Sequence, residues 1–129
     1  MAKLMQYAPL AARLLLGAVF TVFGLNGFFQ FLPMPPMEGP PMEFMGALGA
    51  AGYFFPLLKA TEVTVGLALL SGFFVPLALT VLAPITINIF AFHAFLASSG
   101  LPMAIAIVVL QIFLAWSKRD AYRAVLSAK

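Results

Sequence analysis

Cysteine is missing from the 129 residues. Without a thiol the chain cannot itself run a disulfide relay, hold a cysteine-ligated iron–sulfur cluster or build a cysteine zinc site. Charge is scarce too. Only 9% of the residues are Asp, Glu, Lys or Arg, against about 25% in a soluble domain. Histidine occurs once, as His93. A haem held by two histidines of one chain is therefore excluded, while a haem with a single protein ligand is not.

What is present instead is hydrocarbon. Hydrophobic residues make up 64% of the chain, and the mean hydropathy is +1.08. A spanning helix needs roughly 20 apolar residues. Four spans with short connections use up the length and leave no room for a soluble catalytic domain. The net charge of +3 and the pI near 9.6 do not point to nucleic acid, because the cations are scattered or sit at helix ends. An apolar run from about Tyr7 to Leu32 exceeds the roughly 7–15-residue core of a signal peptide, and no small-x-small cleavage site follows it. It reads as an uncleaved first span.

The expected fold class is all-α. It is a four-transmembrane-helix bundle forming a single integral membrane domain, with spans at about 9–31, 54–70, 75–96 and 103–117. In span 1, Pro9 suits the first helical turn, and Gly17, Thr21 and Gly24 form a small-residue stripe that lets another helix approach. The loop from Pro33 to Met42 is half proline, so no helix runs through it. Glu43 to Gly52 reads as a short interfacial helix before span 2. Pro84 interrupts the ladder of span 3 and should kink it. Gln111 lies inside span 4. Lys118, Arg119 and Arg123 mark a short basic C-terminal helix. Gly52-Tyr-Phe-Phe-Pro-Leu57 echoes Gly72-Phe-Phe-Val-Pro-Leu77 as a repeated helix-start device.

Charge placement gives an orientation. Lys3, Lys118, Arg119, Arg123 and Lys129 lie at the two chain ends, which four spans put on one side. The positive-inside rule makes that side cytoplasmic. The first loop, with Glu38 and Glu43 and no cation, then lies outside. A rise of about 1.5 Å per residue puts Asn26, Lys59, Glu62, Asn88 and His93 in the outer half of the bilayer or near its middle. Arg13 alone lies in the inner third, where it can snorkel to headgroups.

Ionisable groups inside a span are costly and mark a candidate site. Lys59 and Glu62 are three residues apart, on one helix face. They read either as a packing pair or as a carboxylate that binds a ligand or relays a proton, tuned by the lysine. A quinone headgroup would suit the second reading, since it needs a proton donor or acceptor at each carbonyl and an apolar slot for its tail. Asn26 and Asn88 read as interhelical hydrogen-bond glue or as further lining of that site. Asn88 and His93 project about 140° apart on their helix. His93 reads as a packed residue or a single haem ligand. Met34, Met37, Met42 and Met45 sit in M-x-x-M pairs that suit Cu(I), or they simply fill irregular apolar surface.

Several stretches together resemble the DoxX-like membrane proteins. They are Arg13-Leu-Leu-Leu-Gly-Ala-Val-Phe20, Phe23-Gly-Leu-Asn-Gly-Phe-Phe29, Pro33-Met-Pro-Pro36, Thr61-Glu62, Ser71-Gly72-Phe-Phe-Val-Pro-Leu77 and Pro84-Ile-Thr-Ile-Asn88. Each is short, so the resemblance rests on their order and spacing over nearly the whole chain. It implies a bacterial inner-membrane four-helix protein. The family takes its name from a subunit linked to thiosulfate:quinone oxidation, and other members are thought to partner thiol and oxidative-stress proteins. By that resemblance Asn26, Glu62, Asn88 and His93 match motif positions.

Three functions follow as expectations. The first is an accessory redox subunit or small quinone- or lipid-binding protein, with quinone the first cofactor to test and haem the second. The second is a small transporter or channel, and the third a structural or assembly partner of a membrane complex. Beyond the lipid bilayer, the expected partners are a redox or thiol-stress protein and further copies of the chain.

Overall fold

A computed structural model describes residues 2–32 and 37–128, with side chains from Met5 onward. Five helices dominate: α1 (Ala2–Phe29), α2 (Pro40–Ala50), α3 (Phe54–Ser71), α4 (Val75–Phe95) and α5 (Leu101–Ser117). A short 3-10 turn, Ser98–Gly100, leads into α5, and a C-terminal segment follows as Arg119–Tyr122 and α6 (Arg123–Leu126). Four helices are long and apolar enough to cross a membrane: α1, α3, α4 and α5. They close into a ring in which α1 touches α3 and α5, and α4 touches the same two helices.

The bundle is apolar inside and out. Leu16, Leu69, Leu82 and Leu114 are fully buried at its centre. Phe20, Val65, Leu79 and Ile107 pack around them. Yet Leu67, Ile87, Ile112 and Trp116 are more than half exposed, an outer surface suited to an apolar surrounding such as lipid.

Two element starts differ from the sequence reading. Helix α1 begins well before Pro9, which lies inside it. The residues before it (Ala, Lys, Leu, Met and Gln among them) are good helix formers, and they carry the helix on past the single bond that Pro9 forgoes. Helix α2 begins at Pro40 rather than Glu43, with prolines in its first turn. There the missing N–H costs nothing.

The tightest crossing joins α1 to α3. A Cβ at Gly17 would lie 3.0 Å from the Leu70 backbone nitrogen and 3.1 Å from the Gly66 carbonyl oxygen. Gly66 in turn faces the backbone and hydroxyl of Thr21. Without hydrophobic drive between spans, such backbone proximity is what holds them together.

Arg13 fastens the far end of the same pair. Its Nη1 donates to the Leu69 carbonyl at 2.8 Å and to the Leu70 carbonyl at 3.4 Å, the last turn of α3. A cation there completes orphan carbonyls and meets the negative end of the helix dipole. Arg13 thus caps a helix, a more specific role than snorkelling. Gly72 ends α3 at φ +84°, and a Cβ there would meet the guanidinium at 2.6 Å.

At the same end, the Tyr122 hydroxyl donates to the Pro76 carbonyl at 2.9 Å, tying the C-terminal segment to the start of α4. Burial pushes the Tyr122 phenol above its ordinary pKa, so it keeps the proton it donates.

Replacing Gly66 by Leu should force α1 and α3 apart. Overpacking of this kind costs about 1–3 kcal/mol, which thermal unfolding in a mild detergent should register as a lower midpoint. The same change at Gly46, where a Cβ meets nothing within 4 Å, should leave the midpoint within error.

Candidate functional site

The polar side chains that the sequence singles out are held by different elements. Lys59 and Glu62 project from the second turn and the middle of α3 toward α1. Their Nζ and Oε2 are 3.2 Å apart. The Glu62 side chain is 6% exposed and that of Lys59 24%, so the pair is buried at the carboxylate and open at the ammonium. Glycines on α1 make room for it. A Cβ at Gly24 would lie 3.2 Å from the Glu62 Cβ, and one at Gly27 would come within 2.6 Å of the Lys59 Cδ. The lysine stem therefore lies flat across the end of α1. The other carboxylate oxygen, Oε1, makes no hydrogen bond among the described residues.

Asn26 is buried nearby on α1, but its bond is local. Its Oδ1 accepts from the Leu32 N–H at 2.7 Å. This holds the turn after α1, where Gln30 takes φ +51°. Asn88 is exposed on the outer face of α4, and its Nδ2 donates to the Pro84 carbonyl of the same helix at 2.8 Å. His93 lies half-buried in the last turn of α4. Its Nδ1 is 3.2 Å from the Ala97 carbonyl oxygen, its ring meets Phe92 edge-on, and Gly100 closes against it. Of the five candidates, then, Lys59 and Glu62 bond to each other, and Asn26, Asn88 and His93 each bond within their own segment.

A second polar contact sits deeper in the bundle. The Thr86 hydroxyl donates to Gln111 Oε1, and Gln111 Nε2 donates to the Leu79 carbonyl at 3.1 Å. Both side chains are buried. The contact pins α5 to α4 beside Pro84, one residue from the Thr80 carbonyl that this proline leaves without its usual donor. Sequence reasoning placed Gln111 inside span 4 but missed Thr86. Its one signal was a hydroxyl two residues after a mid-span proline. Thr21 Oγ1 is the only fully buried side-chain polar atom without a partner among the described residues.

Of the loop methionines, Met34 lies outside the described residues, as does the Pro33–Pro36 motif. Met42 and Met45 lie three residues apart on α2, and Met37 precedes it. No cluster of three His, Cys, Asp or Glu suited to a metal occurs among the described residues.

Four lipid-exposed spans around an internal ion pair define a small multi-pass membrane protein. A family model described as DoxX matches residues 8–94, two-thirds of the chain, and the protein belongs to that family. The match takes in α1 through α4, hence both halves of the ion pair, and stops before α5. No curated protein and no solved structure matches the chain.

The pair sits between the surface case, where an ion pair is worth under about 1 kcal/mol, and the buried case, where losing one partner costs about 3–5 kcal/mol. Lys59→Met alone should therefore destabilise the protein by about 1–3 kcal/mol, since it strands the carboxylate. The Lys59→Met/Glu62→Met double variant should recover most of that in the same detergent unfolding assay.

Proposed function

We propose that this protein is an accessory subunit of a bacterial inner-membrane redox system, with both chain ends cytoplasmic, and that Lys59 and Glu62 hold a quinone headgroup in the outer half of the bilayer. One observation carries this reading: a buried carboxylate with one oxygen on Lys59 and the other unbonded among the described residues. An ammonium beside a free carboxylate oxygen offers a donor to one group of a ring and an acceptor to another, which is what a quinone and its reduced form require. Because the chain has no thiol, any electron transfer here uses the quinone, another bound cofactor or a partner. A dimer or larger assembly fits the small interior of one bundle.

The other polar groups support a second reading. Asn26, Asn88, His93 and the Thr86–Gln111 contact are satisfied inside the chain. A polar layer spent on internal bonds suits an assembly partner that binds no small molecule. A channel through one copy is the least supported of the three, because fully buried leucines close the bundle centre.

Native mass spectrometry of protein extracted gently from its own membrane, with organic extraction of what co-purifies, separates the first two. The redox-site reading expects a bound quinone whose affinity falls at least about tenfold, or 1.4 kcal/mol, in Glu62→Gln. A bare protein, equally stable with Glu62→Gln, would replace it with the assembly reading.

A further inference from the structure

Helix α4 has two faces. Val75, Ala78, Leu79, Leu82 and Thr86 are buried against the bundle. On the other side Leu77, Val81, Pro84, Asn88 and Phe95 are exposed, with Ala91 half-buried among them. This outer row steps by four and three residues in turn, the heptad spacing of a seam that takes a second helix. From Leu77 to Phe95 it is about 27 Å long at 1.5 Å per residue, close to the roughly 30 Å of a hydrocarbon core.

One member of the row does not suit lipid. Asn88 lies about 10 Å from the Phe95 end of the span, and about 200° round the helix from the buried Thr86 at 3.6 residues per turn. Its Nδ2 gives one hydrogen to the Pro84 carbonyl of its own helix. A primary amide has a second hydrogen and an acceptor oxygen as well, and neither has a partner among the described residues. Hydrocarbon supplies none. The amide therefore calls for a polar group from outside the chain, at its own depth.

A second copy meets that need directly. Copies inserted the same way run their α4 helices parallel, so each Asn88 lies at the depth of the other. Across a two-fold axis the spare N–H of one amide meets the Oδ1 of the other, and symmetry supplies the return bond. In coiled coils a single Asn at a seam position fixes register and helix number. Ala91, the next residue of the row, is small enough to let the two backbones approach.

We propose that the protein forms a parallel two-fold dimer through this face of α4, with reciprocal Asn88–Asn88 hydrogen bonds at its centre. The bond to the Pro84 carbonyl stays in place and aims the amide. Asn88 then joins copies of the chain, not helices of one chain. The dimer is independent of the quinone reading, because Lys59 and Glu62 project from α3 toward α1.

Sedimentation equilibrium of the full chain over a range of protein-to-detergent ratios tests the contact. The wild type should pass reversibly between monomer and dimer. Asn88→Leu should raise the dissociation constant about tenfold, the loss of two interhelical hydrogen bonds of ordinary membrane strength. Its helix content by circular dichroism should match the wild type, since position 88 is exposed. A second measurement uses the absence of native cysteine. In membranes treated with a copper oxidant, Ala91→Cys should give a disulfide-linked dimer, whereas Ile112→Cys, on the exposed side of α5, should not. A folded wild type that stays monomeric at every ratio, or a dimer equally tight in Asn88→Leu, would overturn the proposal. So would crosslinking at Ile112→Cys but not at Ala91→Cys, which would place the contact on α5.

Discussion

The close approach of α1 and α3 sets the geometry of everything else. Inside a bilayer, burying one apolar side chain against another gains little over burying it in lipid. Helices are held instead by dispersion between surfaces that touch along their length. Gly17 and Gly24 on one side and Gly66 on the other remove the side chains that would keep the two backbones apart. Arg13 adds a fastening at one end of the crossing, and the Lys59 stem lies across Gly27 at the other. α4 and α5 are added to this pair with more conventional leucine packing.

Much of this was legible in the sequence. Composition alone required a membrane protein, and the lengths of the apolar runs required four spans. The Gly17, Thr21 and Gly24 stripe announced a close crossing, and Lys59 and Glu62 announced a pair. What stayed hidden was which partners the polar groups would choose. Counting residues along the spans gave Asn26, Asn88 and His93 the same expected depth as the ion pair, and depth suggested a shared pocket. Depth is only one coordinate. Asn88 follows Pro84 by one turn, so the nearest acceptor is the carbonyl of that proline, and its side chain folds back onto its own helix. His93 lies in the last turn of α4 and finds a carbonyl just past it. Helix starts were misjudged at Pro9 and Pro40 for one reason: proline forbids only the bond its own nitrogen would have made.

Polar groups in this chain therefore fall into two kinds. Some complete the backbone where a helix stops or holds a proline: Arg13 on α3, Asn26 after α1, Gln111 beside Pro84 of α4. They are expected of any bundle in which water cannot supply the missing partners. The Lys59–Glu62 pair completes no backbone. It brings two charges into a low-dielectric interface and leaves an acceptor oxygen over, which gives it a claim to function that the other groups lack.

The spacing of that pair also bears on how the protein reaches the membrane. Lys59 and Glu62 lie on one helix, a single turn apart, and can bond as soon as that turn forms. The two opposite charges then enter the bilayer as one internally neutralised unit, before α4 and α5 exist to shelter them. Had the partners been on different spans, each would have crossed unpaired while the chain was still being made. A local pair is thus a biosynthetic convenience as well as a folded-state contact. By the time the ring closes with α5, the costliest groups in the chain have long been matched.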